Sequence, residues 1–273
     1  MSLARSLPAG LFLFAALVPL SAHGEPFEFT RIVQPALLGR GDVTAAHSTE
    51  LRRPVTETER DGGGGGGGGG AGLGGRSAYD GVQHREYAYV GIAPWLVVGA
   101  EQTVQQTDID AFELGRLAPE VRVPFRGIPA LSDLPVDLSA FGGARLRLRD
   151  ERRRGHSAVA GIGLDHEVGR LVLSTSVAYE TAIEGELDEK GIRYGGAVGV
   201  RLGAGWTAAA ETWGVLVWTE PDLFQQDHHL GPSLRLALGE HSWISTNVSG
   251  AIRERPHRGF VDVTWMTQLG LAF

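Results

Sequence analysis

Gly259-Phe260-Val261-Asp262-Val263-Thr264-Trp265-Met266-Thr267-Gln268-Leu269-Gly270-Leu271-Ala272-Phe273 is the stretch whose reading decides the fold. Counting back from Phe273, alternate residues are Leu271, Leu269, Thr267, Trp265, Val263 and Val261. Those between are Ala272, Gly270, Gln268, Met266, Thr264 and Asp262. One face is oily and the other is mixed. Successive side chains of a β-strand point to opposite faces, so this is a strand with an apolar side and a wetter one. A transmembrane barrel needs that pattern on every strand, because lipid lies outside it and a polar lumen inside.

The preceding chain repeats the pattern. Twelve alternating segments are expected, at about 41–52, 79–93, 95–106, 112–125, 136–150, 156–168, 170–183, 192–202, 205–218, 228–238, 242–253 and 259–273. Their connections sort into two alternating kinds. Ala93-Pro94-Trp95, Val168-Gly169-Arg170, Gly203-Ala204-Gly205 and Gly239-Glu240-His241 are tight turns. Pro54 to Arg76, Thr107 to Ala111, Glu151 to Gly155, Glu184 to Gly191, Thr219 to Asp227 and Glu254 to Arg258 are longer and more polar. Short turns at one end and long loops at the other is the outer-membrane arrangement, with the short turns periplasmic. Gly127 to Pro135 is the exception, a longer link where a short one is expected. The fold class this implies is all-β, a single antiparallel up-and-down transmembrane β-barrel of 12 strands, in preference to a soluble sandwich or solenoid.

Length and composition agree. A chain of 273 residues suits one large domain. Net charge is -7, which disfavours nucleic acid as a partner. Cysteine is absent, so disulfides and thiolate metal sites are excluded. No apolar run long enough for a membrane helix occurs beyond the N-terminus, whereas half of each barrel strand is polar and escapes such a search. At the N-terminus, Arg5 precedes an apolar core from Leu11 to Leu20, and Ala22-His23-Gly24 offers small residues to a signal peptidase. The expected organisation is a signal peptide at 1–24, a periplasmic lead-in at 25–40 and the barrel at 41–273. The first long loop, 53–76, holds nine consecutive glycines from Gly62 to Gly70. Such a run cannot hold one backbone conformation and is read as a disordered extracellular tether.

Taking the oilier face of each segment as lipid-facing sorts the side chains. Leu171, Leu173, Val177, Tyr179, Tyr194, Val198, Val200, Leu202, Leu234, Leu236 and Leu238 fall outward. Tyr87, Tyr89, Trp206, Trp218 and Trp265 join them as interfacial aromatics. The charges fall inward: Glu86, Glu101, Arg116, Glu120, Arg122, Asp137, Arg145, Arg147, Arg149, Asp165, Glu167, Glu180, Arg193, Arg201, Glu211, Arg235 and Asp262. An Arg facing lipid at mid-depth would cost about 2–4 kcal/mol, so the segregation itself supports the assignment. The candidate lumen constriction is Glu101, Arg116, Glu120, Arg122, Arg145, Arg147, Arg201, Glu211 and Arg235, with Arg116, Arg122, Arg145 and Arg147 facing Glu101, Glu120 and Glu211. The alternative is that these residues pair across a narrow barrel and fill it.

Several resemblances sharpen these expectations. Trp265, Leu269, Leu271 and Phe273 resemble the closing strand of Gram-negative outer-membrane proteins, which implies recognition by the barrel-assembly machinery. In strand number the chain resembles outer-membrane phospholipases, whose His and Ser lie two apart on one outward face with an Asn nearby. His47-Ser48, His156-Ser157 and His241-Ser242 are adjacent and point to opposite faces. Only His47 with Thr49 has the required spacing, and no Asn accompanies it, so no catalytic residue is assigned. Outer-membrane proteases use carboxylates and an Asp-His pair at the outer rim. Asp227-His228-His229, with His156 and His257, could mimic them or bind a metal, but is read as solvated loop; no metal or cofactor is expected.

The run Glu86-Tyr87-Ala88-Tyr89-Val90-Gly91-Ile92-Ala93-Pro94-Trp95-Leu96-Val97-Val98-Gly99-Ala100-Glu101 is similar to the paired strands of outer-membrane channels grouped with the meta-pathway phenol-degradation transporters. Pro135-Val136-Asp137-Leu138-Ser139-Ala140-Phe141 with Arg145-Leu146-Arg147 resembles their middle strands. That resemblance implies uptake of small, hydrophobic compounds. The function expected is passive passage of an unknown small solute through a charged lumen, with lipid and the assembly machinery as partners. A closed barrel displaying its loops is the alternative, and a barrel hydrolase comes third.

Overall fold

The computed structural model describes residues 38–54, 82–108, 111–148, 155–184, 189–219, 223–252 and 260–273. They form twelve strands: β1 Val43–Pro54, β2 Val82–Ala93, β3 Leu96–Asp108, β4 Ala111–Pro124, β5 Asp137–Arg147 and β6 Ser157–Val168, followed by β7 Leu171–Ala182, β8 Glu189–Gly203, β9 Trp206–Thr219, β10 Leu223–Ala237, β11 Ser242–Ile252 and β12 Phe260–Ala272. Each strand pairs antiparallel with its sequence neighbours, and β1 closes the ring on β12. At that seam Val43 N donates to Phe273 O at 2.8 Å and Phe273 N to Val43 O at 2.7 Å. The up-and-down barrel is the fold that the alternation demands. The largest departure in boundaries is β10, which starts at Leu223 because Leu223 to Asp227 extend the ladder along Thr219 to Val215 of β9.

All the tight turns lie at one end. Gly203, Ala204 and Gly205 all take positive φ, at 98°, 50° and 80°, so the β8–β9 reversal is made by two residues without a Cβ flanking one that has it. The exceptional long link after β4 contains two 3-10 turns, Phe125–Gly127 and Pro129–Leu131. It is seated on the β2–β3 turn, where a Cβ at position 127 would stand 1.8 Å from Pro94 O. At the opposite end, most of the longer connections, including the glycine run, lie outside the described residues.

Leu38 to Asp42 fold into the short-turn mouth. Gly41 N donates to Gly91 O at 2.8 Å, Gly91 N donates to Asp42 O at 2.9 Å, and Gly39 N donates to Asp42 Oδ2 at 2.7 Å. Leu38 is thereby buried with Ala46, Tyr87, Tyr89, Val97, Trp243 and Ala272, the largest apolar cluster inside the barrel. Inward aromatics need room on neighbouring strands, and Gly270 provides it: a Cβ there would lie 1.9 Å from the Trp243 ring.

Outside, Leu171, Leu173, Val177, Tyr179, Val198, Val200, Leu202, Trp206, Leu234, Leu238, Trp265, Leu269 and Leu271 are all exposed, as the alternation requires. β2 corrects the expectation. Tyr87 and Tyr89 face the lumen and are buried, and Glu86 lies on the outer face. The β1–β2 register forces this, because it sets Tyr87 opposite Ala46 and Tyr89 opposite Thr44, both buried inward.

Candidate functional site

Alternation turns one charged residue after another into a lumen too narrow for them to stay apart. Arg85 Nη2 of β2 reaches Glu50 Oε2 of β1 at 3.0 Å. Arg116 of β4 bonds Glu101 of β3. Arg122 Nη2 meets Glu120 Oε1 on its own strand at 2.8 Å, and its guanidinium lies 4.7 Å from the centroid of the Phe141 ring. On the facing side, Glu180 of β7 is fully buried and gathers three arginines. Arg193 of β8 bonds it directly, Arg145 and Arg147 of β5 stand at 3.6 and 3.7 Å, and Ser157 Oγ donates to its Oε1 at 2.6 Å. A buried carboxylate needs such partners to remain charged.

Between these groups lies a cavity of about 230 Å3, lined by Arg85, Glu101, Arg116, Glu120, Arg122, Arg145 and Arg193 together with Tyr87, Tyr89 and Trp213. It is a polar chamber at mid-height. From its lining toward the short turns, the apolar cluster around Leu38 packs against β1, β2, β3, β11 and β12.

The expected constriction is therefore only partly assembled. Glu101, Arg116, Glu120, Arg122 and Arg145 line one chamber. Arg147 is buried behind it on Glu180. Arg201 pairs with Glu167 at 2.8 Å near the short turns, and Arg235 packs 5.9 Å from the Trp243 ring centroid. Glu211 is fully buried, and neither it nor Arg235 lines the chamber. The carboxylate facing Arg145 and Arg147 is Glu180, not Glu211. The opposed walls of unlike charge give way to pairs formed between near neighbours. Arg85 joins this set because the faces of β2 are reversed relative to the oilier-face assignment, and the cost of leaving an Arg against lipid is the sequence signal for it.

The histidines expected in solvated loop are also placed differently. His229 is buried inside the barrel with its ring stacked on Trp213 at 3.6 Å, and His228 lies against Tyr194 at 5.5 Å. The early start of β10 sets both well inside the strand rather than at its outer tip. His156 Nδ1 accepts from Arg147 N at 3.3 Å, and His257 is outside the described residues. Among the described residues, no group of three or more His, Cys, Asp or Glu is arranged to hold a metal ion.

No family description and no curated protein matches the sequence. Solved structures do match the fold. The NanC porin superposes with a TM-score of 0.55 at 9% identity, over 83% of this chain and 98% of that one. An outer-membrane channel from Pseudomonas putida F1 superposes with a TM-score of 0.55 at 8% identity, over 89% of this chain and 100% of the other. The fold is that of outer-membrane barrels. At such identities the likeness extends to architecture alone, and the side chains of the chamber have to be read on their own terms.

Proposed function

We propose that the protein is an outer-membrane channel for passive passage of small solutes, with a preference for anions. The carrying observation is the charge around the chamber: among the described residues six arginines, Arg85, Arg116, Arg122, Arg145, Arg147 and Arg193, meet four carboxylates, Glu50, Glu101, Glu120 and Glu180. The surplus is positive, and adding Arg235 and Glu211 leaves it unchanged. A low-dielectric wall focuses such a field on whatever enters. The chamber is smaller than the roughly 300–1,000 Å3 of drug-sized sites, which favours a small solute. The similar solved structures are described as a porin and a channel, which supports a pore. A hydrophobic cargo, as the meta-pathway resemblance implies, fits this lining less well than an anionic one. Lipid and the barrel-assembly machinery are the partners this reading requires.

One observation favours a second reading, a closed barrel that displays its loops: Leu38, Tyr87, Tyr89, Val97 and Trp243 are nearly inaccessible and pack together from the chamber lining toward the short turns. Planar-bilayer recording separates the two. A channel gives steady conductance whose reversal potential in a KCl gradient reports chloride preference, weakened in Arg122→Ala and Arg193→Ala. Silence across repeated insertions, or cation preference, refutes the channel proposed here.

A further inference from the structure

Four polar side chains meet on the outer wall, on a surface that is mostly apolar. The β1–β2 register sets His47 opposite Glu86 and Thr49 opposite His84. All four lie on the faces turned away from Ser48, Glu50, Arg85 and Tyr87, which look into the lumen. Thr49 Oγ1 is 3.3 Å from His47 Nε2 and 3.1 Å from His84 Nδ1. The two imidazoles stack with centroids 5.3 Å apart, and His47 Nδ1 is 3.8 Å from Glu86 Oε1. The His47 side chain is 43% exposed and Glu86 12%, so the cluster opens outward through His47. Ionisable groups on a membrane-facing surface are costly and mark function by default.

The hydroxyl is used unusually. Other outward threonines satisfy themselves on the main chain: Thr175 donates to Gly195 O, Thr212 to His229 O and Thr246 to Met266 O. Thr49 instead lies between two imidazoles. With the His47 proton on Nδ1, toward Glu86, its Nε2 accepts from the Thr49 hydroxyl, which is the order of carboxylate, base and nucleophile that activates an alcohol. The three ionisable members are not arranged as a metal-ligating group.

The depth matters as much as the order. Leu51 lies opposite Trp265, an outward aromatic of the kind that sits at the membrane–water boundary. Thr49 is one outward position nearer the membrane centre, roughly 5 Å in height for a strand tilted about 40°. That is where the ester linkages of lipids lie, between headgroup and chains. Thr267 and Gln102, opposite Thr49 and Glu86 on the flanking strands, extend the polar patch sideways.

We propose that Thr49, His47 and Glu86 hydrolyse the carboxylic esters of lipids lying against β1 and β2. Thr49 Oγ1 attacks the ester carbonyl carbon while its proton passes to His47 Nε2. The bond from that carbon to the alcohol oxygen breaks, and His47 returns the proton to the departing alcohol. Water at the membrane boundary, deprotonated by His47, then splits the acyl-threonine into fatty acid and free Thr49. Glu86, with Oε1 3.8 Å from His47 Nδ1, is a positioning residue whose charge favours the proton on Nδ1 and the imidazolium that forms. His84 Nδ1, 3.1 Å from Thr49 Oγ1, is a second polar contact that fixes the hydroxyl.

The test is fatty-acid release by the refolded full-length protein in two kinds of mixed micelle, one of diacylphosphatidylethanolamine and one of lipid A. Release from either supports the proposal and tells which source of ester is used. Thr49→Val and His47→Gln should each lower release at least 100-fold, whereas Thr49→Ser retains a tenth or more. Glu86→Gln should lower kcat about tenfold with KM unchanged, and Glu86→Asp should recover part of that loss. Heat-modifiable gel mobility checks that every variant has closed its barrel. No release from either lipid by folded wild type overturns the proposal, as does equal release by Thr49→Val.

Discussion

Replacing Glu180 by Gln keeps the shape of the side chain and removes its charge. Three guanidiniums then lose their shared anion, since Arg193 bonds it, Arg145 and Arg147 stand at 3.6 and 3.7 Å, and Ser157 Oγ donates to it at 2.6 Å. Removing one partner of a buried pair costs about 3–5 kcal/mol. The carboxylate is fully buried, but the Arg145 and Arg193 side chains are 18% and 28% exposed, so water takes over part of the lost interaction. A loss of about 2–3 kcal/mol is expected, roughly 30- to 150-fold in the unfolding equilibrium at 1.4 kcal/mol per factor of ten. Urea unfolding in detergent micelles, followed by tryptophan fluorescence, measures it. In the bilayer the same variant adds one positive charge to the arginine surplus and should raise chloride preference. A stability loss under about 0.5 kcal/mol, together with unchanged ion preference, would refute the claim that Glu180 holds this side of the lumen together.

Gly270→Ala should destabilise the barrel by about 1–3 kcal/mol through overpacking against Trp243. The double variant with Trp243→Leu should recover much of that loss, and additive effects in a double-mutant cycle would refute the fit. Leu38→Ser should loosen the packing from the chamber lining toward the short turns and raise single-channel conductance; unchanged conductance would mean that Leu38 does not limit the path.

Much of the architecture could be read from period two alone. The mixed face of the last segment returns as Thr264, Met266, Gln268, Gly270 and Ala272, all buried in the lumen, while Trp265, Leu269 and Leu271 are exposed. β2 resisted because both its faces carry polar groups, Arg85 with Tyr87 and Tyr89 on one and His84 with Glu86 on the other. Taking the oilier face as lipid-facing selects the wrong side of β2; the cost of an Arg against lipid selects the right one. That single reversal also concealed the outer-wall cluster, because it removed Glu86 from the side of His47 and left Thr49 without a carboxylate to complete the set. Pairing inside the lumen was less legible still. Glu180 and Arg145 are separated by an intervening strand, so their approach depends on barrel width and side-chain reach, which alternation does not encode.

The closing seam bears on the order of events in folding. Every other neighbouring pair is consecutive in chain order, but β1 must find β12, and the hydroxyl of Thr44 donates to Leu271 O across 227 positions. Until those strands meet, the curled sheet has two raw margins able to capture any extended peptide, including the same margin of another copy. Chain entropy makes this last zipping the slowest. A cell producing the protein therefore has to shepherd an unfinished ribbon, and damage confined to β1 should trap a nearly complete sheet where damage to a central hairpin would stop it early.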